Sequence, residues 1–479
     1  MTAAARRALV LGGGITGLVA CLRLRQGARE RGLPLEVTLL EASARLGGSI
    51  ESARAGGCLL EKGPDCFLGI KPEGAALCRE LGLGGQLMGT RPECRRSFVL
   101  RRGRLHPVPP GFYLLAPSSL MPFVRSPIFS PLGKLRMALD LVLPRRRGEG
   151  DESLASFVRR RLGEEALRRM AQPMVAGVYG ADPEELSLEA TMPQFLEMER
   201  ESRSVILALR RRMAEARGAA AASGPRYGLF LSLADGMGSL IGALRERLPG
   251  SALRCGARAA GLRREAGRWR VAVEGAGEIE ADALCVALPA HAGSGLFAGA
   301  SPRLSALLGE VPYGSVTTLN LVFPRERVAH PLDGMGFVAP AEEGRVAMAC
   351  SFSSAKFEGR APEGKVLLRA FVGGARGEEM LALPEGAFIG RVVEDLRPLL
   401  GLSGEPEAVL LQRYPRAMPH YTVGHLRRVE EMERLAAELP GVALAGSAYR
   451  GVGIPDCAGS AGAAAGRLLD RLAGAAPAG

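Results

Sequence analysis

The sequence predicts an α/β fold, with a parallel-sheet domain assembled from separated parts of the chain, a mixed α+β second domain and a helical subdomain. Three observations predict it. Near the start, a short apolar strand runs into a glycine-rich turn and a helix with one apolar stripe. Alternating segments rich in β-branched residues appear well past the middle of the chain. At the end, another buried-type strand, glycine turn and small-residue helix follow one another. With 479 residues, the chain is too long for one ordinary core, so two or three domains are expected.

Ala8-Leu9-Val10-Leu11 reads as a buried parallel strand. Gly12-Gly13-Gly14-Ile15-Thr16-Gly17 follows and satisfies G-x-G-x-x-G, and Leu18, Cys21, Leu22 and Leu24 supply the helix stripe. Leu35 to Leu40 reads as a second strand and ends at Glu41. Each part has a physical task. Gly12 permits the tight turn, Gly14 lets the backbone approach a pyrophosphate, and Gly17 allows close packing of the helix. Unpaired N–H groups at the helix start, around Ile15 and Thr16, face the phosphates. Glu41 can accept both ribose hydroxyls and would repel a 2′-phosphate, which argues against NADP. A lone glycine motif is weak, but here strand, turn, helix, strand and acid come in order.

A second glycine pair, Gly47-Gly48, stands soon after Glu41-Ala42, and Gly63-Pro64-Asp65 makes a third stiff turn. Bare backbone loops of this kind suit a dinucleotide with ribityl contacts to satisfy, which favours FAD over NAD.

From Arg96 to Pro144 the chain is proline-rich and apolar, and short helices are expected rather than a membrane span. A helical pattern continues from Asp151 to about Met213 and is expected to dissolve into a surface loop from Arg217 to Pro225. Trp269 to Val273 and Ala283 to Pro289 read as strands, with Ala259 in the same returning segment placed at the cofactor. Val316 to Phe323 and Val366 to Val372 read as strands of a second sheet. Val442 to Ala445 reads as a buried strand, and the turn through Gly453-Ile454-Pro455 opens a small-residue helix from Cys457 to about Leu472. The expected division is a discontinuous Rossmann-type FAD-binding domain (1–92, 213–295 and 431–479), a helical subdomain that caps a pocket or faces a membrane (93–212), and a substrate-binding domain (296–430).

Composition narrows the classes. Hydrophobic residues make up 47% and charged residues 23%, the balance of a soluble globular protein. Met1 to Leu11 lacks the apolar core and cleavage site of a signal peptide, so a cytoplasmic protein is expected, with peripheral membrane contact left open. The nine cysteines show no C-x-x-C pair, which points to reduced thiols and to no metal site. The net charge of +12 suits an anionic small molecule or membrane surface, but codon bias toward arginine explains it equally well. Nothing resembles a nucleic-acid-binding motif. No Ser–His–Asp or Cys–His arrangement appears, and no side-chain acid or base is assigned. That is the pattern expected when a cofactor carries the chemistry.

The glycine turn, Glu41-Ala42 followed by Arg45 and Gly47-Gly48, and Glu61 through Gly63-Pro64-Asp65 resemble the flavin amine oxidase superfamily. Further segments, including Met418-Pro419-His420-Tyr421-Thr422-Val423-Gly424-His425 and Gly451-Val452-Gly453-Ile454-Pro455-Asp456-Cys457, resemble the oxygen-dependent porphyrinogen oxidases, most closely the Gram-positive type acting on coproporphyrinogen III. That resemblance covers nearly the whole chain. It implies non-covalent FAD, a porphyrinogen substrate, O₂ as electron acceptor with release of H₂O₂, and hand-off to the next haem-pathway enzyme. It also implies substrate residues. Phe357 aligns with an aromatic that stacks on the macrocycle, beside the reading of it as a core residue. Gly177 matches a glycine that lets a pyrrole approach, and Lys71 could face substrate carboxylates. Arg96 lies near an arginine that pairs with a propionate, with Ser97 the alternative occupant of that register and Arg95 also available. The four propionates of coproporphyrinogen, against two in protoporphyrinogen, suit the positive charge. Two rival readings remain: an amine or carotenoid oxidase of the same superfamily, and a non-catalytic flavin-binding partner protein.

Overall fold

A computed structural model describes residues 5–113, 115–148, 150–222, 230–374 and 377–474. A five-stranded parallel sheet sits at its centre. The strand Arg6–Leu11 lies in the middle, flanked by Leu35–Leu40 and Ala283–Val286, with Leu253–Arg254 and Val442–Leu444 at the edges. All its pairings are parallel. Strands so far apart in sequence make this domain discontinuous, as expected. The apolar run Ala8 to Leu11 is almost completely buried because helices or loops cover both faces.

The first helix, Ile15–Glu30, packs against the last, Ile454–Gly474. Small residues permit the approach: a Cβ on Gly27 would stand 2.5 Å from a Leu469 methyl. An antiparallel three-stranded meander, Ala259–Glu265, Arg268–Val273 and Gly277–Ala281, covers the other side through Trp269 and Val271.

A seven-stranded mixed sheet forms the second layer. Its order is Ala408–Pro419, Tyr313–Pro324, Lys365–Gly373, Ala349–Phe352, Gly336–Val338, Phe98–Arg101 and Arg104–Pro107. The helix Glu385–Leu400 packs on it through Phe388, Val392, Val393 and Leu396. Short helices between Leu120 and Ala222 build a separate core around Phe123, Phe129, Phe157 and Phe195.

Two segments differ from the sequence-based expectation. Phe98 to Pro107 is a hairpin on the edge of the seven-stranded sheet, not a short helix. Phe98, Val99 and Leu100 are buried there, and Gly103 supplies the left-handed turn at φ +71°. The helix Val205–Ala222 continues past Arg217, where a loop was expected. Alanine is the best helix former, so an Ala-rich run extends a helix as readily as it ends one. Ser223 to Pro225 lie outside the described residues. No described helix is long and apolar enough to cross a membrane.

Candidate cofactor and substrate site

The first turn borders open space at one position. Gly14 precedes the helix at φ −69° and ψ −178°, a conformation open to any residue. Yet a Cβ placed there would meet no atom within 4 Å. Its neighbours differ. Gly12 has φ +107°, and its Cβ would lie 2.6 Å from the Ala287 carbonyl oxygen. A Cβ on Gly17 would collide with the Gly12 carbonyl, and one on Gly13 would lie 2.8 Å from Glu41 Cβ. Gly12, Gly13 and Gly17 therefore serve the fold itself. Gly14 borders space that the chain leaves open.

Glu41 lies against this turn. Its Oε2 accepts the Gly13 N–H at 2.6 Å, and its Oε1 accepts the Ser43 N–H at 2.7 Å. Each oxygen keeps a further acceptor position, and Ala42 beside it is exposed. The segment leading to Ala259 runs alongside, with the Ala257 N–H donating to the Glu41 carbonyl at 2.8 Å.

The second glycine pair folds onto the first turn. The Gly47 N–H donates to the Gly13 carbonyl at 2.8 Å, and a Cβ on Gly48 would lie 3.3 Å from Gly14 Cα. A Cβ on Gly63 would strike the Ser49 carbonyl, so the third turn packs on the second.

A buried ionic group holds Gly63-Pro64-Asp65. Lys356 Nζ lies 2.9 Å from Asp65 and 3.3 Å from Cys66 Sγ. Arg369 donates to the carbonyls of Lys62 and Gly63, and the Thr318 hydroxyl donates to Lys62 at 2.8 Å. Burial alone would raise the Asp65 pKa, but Lys356 and Arg369 outweigh it and hold the carboxyl below the usual carboxylate range. Burial, reinforced by Asp65, pushes the Cys66 thiol up to about 12. The cluster is thus ionic at Asp65 and Lys356, with a neutral thiol beside it.

The end of the chain arrives at the same place. Gly446, at φ +124°, brings its backbone close enough that a Cβ would be 3.7 Å from Thr16 Oγ1. Thr16 also hydrogen-bonds Cys457. The Gly453 N–H donates to Asp456 Oδ2 at 3.2 Å, and Asp456 pairs with Lys71. Gly453, Ile454 and Pro455 therefore open the last helix beside the start of the first.

The residues expected at the substrate are spread more widely. Lys71 joins Asp456. Burial and the Asp456 charge raise Tyr179 to about 12, so Tyr179 belongs to this group too. Gly177, two residues before Tyr179 on the helix Gln172–Tyr179, is exposed, and a Cβ there would meet nothing within 4 Å. Arg96 pairs with Asp333 at 3.0 Å, and Ser97 bonds Val108 through its carbonyl, at the hairpin edge of the large sheet. Phe357 is 1% exposed, with Lys356 Nζ 5.0 Å and Arg360 Cζ 5.7 Å from its ring centre. It lines a small internal cavity with Glu61, Asn320, Arg360 and Arg369.

Lys356, Tyr179 and Asp456 escaped the sequence reading. Asp456 lies inside the Gly451 to Cys457 motif, and Lys356 directly precedes Phe357. Their partners, however, lie 385 and 291 residues away, and no local pattern records such a pair.

Residues 15–469 match the family of flavin containing amine oxidoreductases. The chain is 35% identical to coproporphyrinogen III oxidase of Bacillus subtilis, over 94% of its own length and 95% of the relative's. It is 32% identical to protoporphyrinogen oxidase of Homo sapiens, covering 94% and 96%. Among solved structures, an Exiguobacterium sp. 255-15 protein assigned as a protoporphyrinogen oxidase superposes with a TM-score of 0.86 at 30% identity, covering 97% and 98%. Cyclohexylamine oxidase from Brevibacterium oxydans shares the fold, with a TM-score of 0.71 at 15% identity over 98% and 100%.

Proposed function

Because the chain belongs to the flavin containing amine oxidoreductases, and is thus a flavoprotein oxidoreductase, we propose that it is a porphyrinogen oxidase of haem biosynthesis. Its main substrate in this reading is coproporphyrinogen III, with protoporphyrinogen IX accepted as well. The observation that carries the reading is the 35% identity to a coproporphyrinogen III oxidase along 94% of the chain. The likeness to an amine oxidase at 15% identity extends to the fold alone.

The residues present fit FAD. The open space beside Gly14 leaves room for a pyrophosphate at the start of a 16-residue helix. Glu41 offers two acceptors to a ribose. The loops at Gly47-Gly48, Gly63-Pro64-Asp65 and Gly453-Ile454-Pro455 extend the cradle away from it. FAD is proposed to bind here without a covalent bond. When bound, it supplies hydride acceptance and passes the electrons to O₂, so that a porphyrinogen and three O₂ give a porphyrin and three H₂O₂. The chain's own groups bind and orient. In this reading Lys71, paired with Asp456, exchanges it for a substrate carboxylate. The bare backbone at Gly177 lets a flat ring approach, and Arg96 offers a second cation at a distance.

Aerobic incubation of the FAD-loaded protein with each porphyrinogen, followed by porphyrin fluorescence and peroxide, tests the reading. Fluorescence and peroxide are expected to rise together, faster with coproporphyrinogen III. No gain over the autoxidation blank with either compound rejects it.

A peripheral contact with an anionic membrane surface belongs to the same reading, on a protein otherwise in the cytoplasm, and would favour hand-off of a poorly soluble product to the next enzyme. Leu120, Met121, Val124, Leu132, Leu135 and Val142 are all exposed, Leu132 by 78%. Between Gly111 and Gly148 the chain carries six cations and one carboxylate, Asp140, which is fully buried against Arg161. Apolar side chains with a cationic rim suit an anionic interface. Flotation with vesicles containing phosphatidylglycerol is expected to carry the protein, and Leu132→Glu with Leu135→Glu to release it. Equal flotation of both proteins removes this surface from the reading.

A further inference from the structure

In the segment Met418 to His425, two polar side chains, those of Tyr421 and His425, are spent on one target. The Tyr421 hydroxyl donates to the Ser447 carbonyl at 2.6 Å and accepts the Gly451 N–H at 2.8 Å. One hydroxyl thus spans the loop that joins the last strand of the parallel sheet to the last helix. His425 Nε2 bonds the Tyr449 carbonyl, between those two points, at 2.8 Å. A carbonyl only accepts, so the ring proton sits on Nε2. The two rings stack at 4.0 Å with 13° between their planes, and Tyr421 is 1% exposed and His425 fully buried.

The loop so gripped lies where cofactor contacts converge. Gly446 at one end approaches Thr16, and Gly453 at the other bonds Asp456. Gly451 has φ +153°, and any Cβ there would overlap Asp456. Three bonds at Ser447, Tyr449 and Gly451 therefore fix a stretch that has no regular structure of its own. The clip is anchored from outside the sheet domain. The Tyr421 carbonyl accepts the Ser187 N–H at 2.7 Å, the Gly424 N–H donates to Asp151 at 2.8 Å, and the His420 N–H donates to the Pro312 carbonyl at 2.8 Å.

We propose that Tyr421 and His425 are positioning residues for the flavin: they hold the Gly446–Gly453 loop in the shape that receives the cofactor and tie it to the helical subdomain. Neither touches the reacting atoms. The inference rests on flavin binding and not on the identity of the substrate.

Tyr421→Phe keeps the ring stack and removes both hydroxyl bonds, leaving a buried carbonyl and amide without a partner. With FAD as titrant on the full chain, the dissociation constant is expected to rise roughly ten- to hundredfold. The absorption bands of bound flavin are expected to shift, while the melting point of the FAD-free chain moves much less than the affinity. FAD affinity within twofold of the unaltered protein, with an identical bound-flavin spectrum, overturns the proposal. So does a fall in FAD-free melting point that accounts for the whole affinity loss while the spectrum stays unchanged. Should Tyr421→Phe fail to fold, His425→Phe keeps the stack and drops only the Tyr449 bond. A smaller rise in dissociation constant is then expected, and no rise overturns the proposal. An unaltered chain that takes up no FAD at all would sink the flavin reading instead.

Discussion

Adding one methyl at Gly14 separates what the fold needs from what the cofactor needs. In Gly14→Ala the new carbon enters open space in the FAD-free chain, and the backbone there suits alanine. The cost to the FAD-free fold is the loss of a tolerated N-cap glycine, about 0.5–1 kcal/mol. On the proposed reading, the same carbon would compete with the FAD pyrophosphate. An overlap of that kind costs about 2–3 kcal/mol, or roughly 30- to 150-fold in dissociation constant. At FAD concentrations a hundred times the original dissociation constant, binding stabilises the unaltered protein by about 2.7 kcal/mol. A hundredfold weaker variant would gain only about 0.4 kcal/mol under the same conditions. Melting curves with and without FAD, together with flavin retained after desalting, read both quantities. Gly14→Val should lose the yellow colour entirely. Gly17→Ala is the contrast: its Cβ meets the Gly12 carbonyl, so the FAD-free chain itself should melt lower. Gly14→Ala with undiminished FAD affinity, or a FAD-free melting point as low as that of Gly17→Ala, would refute the assignment of the open space beside Gly14.

Other consequences are equally direct. Phe357→Ala is expected to cost about 3–5 kcal/mol of stability, because the ring is buried under two cations; a raised KM with unchanged melting would instead place the ring against substrate. Lys71→Met should raise the KM for coproporphyrinogen roughly tenfold or more while FAD is retained, and unchanged kinetics would remove Lys71 from the substrate side. His425 has its pKa lowered to about 4, by burial first. The unfolded chain takes up this proton below about 6.5, so the stability contributed is complete above that pH and erodes as pH falls toward 4, by about 3 kcal/mol in all. Urea unfolding from pH 7.5 to 4.5 should show this slope, and His425→Gln should flatten it; equal slopes would place the titration elsewhere.

The first strand–turn–helix–strand unit was legible because its signals are local. Ala8 to Leu11, the glycines from Gly12 to Gly17, and Glu41 lie within one short stretch, and their order alone dictates strand, turn, helix and acid. Strand alternation from Val316 to Phe323 was equally visible. The hairpin from Phe98 to Pro107 was not, because prolines and arginines around it mask a run of only three residues, Phe98 to Leu100, buried on both faces of the sheet. The substrate side was hardest to read. Arg96 is identifiable as a cation in any sequence, but its pairing with Asp333 depends on how a distant loop crosses the sheet. Lys356 and Asp65 come together only because the short helix Ser353–Lys356 meets a turn 291 residues earlier in the chain. A pattern of residue types carries periodicity well and long-range partnership poorly.

The parallel sheet has a bearing on biosynthesis. Its central strand is the first to leave the ribosome, whereas its edge strand Val442–Leu444 and the helix that packs on the first helix are translated last. The N-terminal strands therefore wait for Ala283–Val286 to fill one flank, and the sheet is complete only when Val442–Leu444 pairs with that strand in turn. Such distant pairing slows folding and leaves sticky edges exposed meanwhile. On the proposed reading, in which Gly453, Ile454 and Pro455 complete the cradle, the flavin would be captured only after that final closure. Yield of folded protein should therefore respond to riboflavin supply at the stage of completed chains, and a chain ended before Val442 should gain nothing from it.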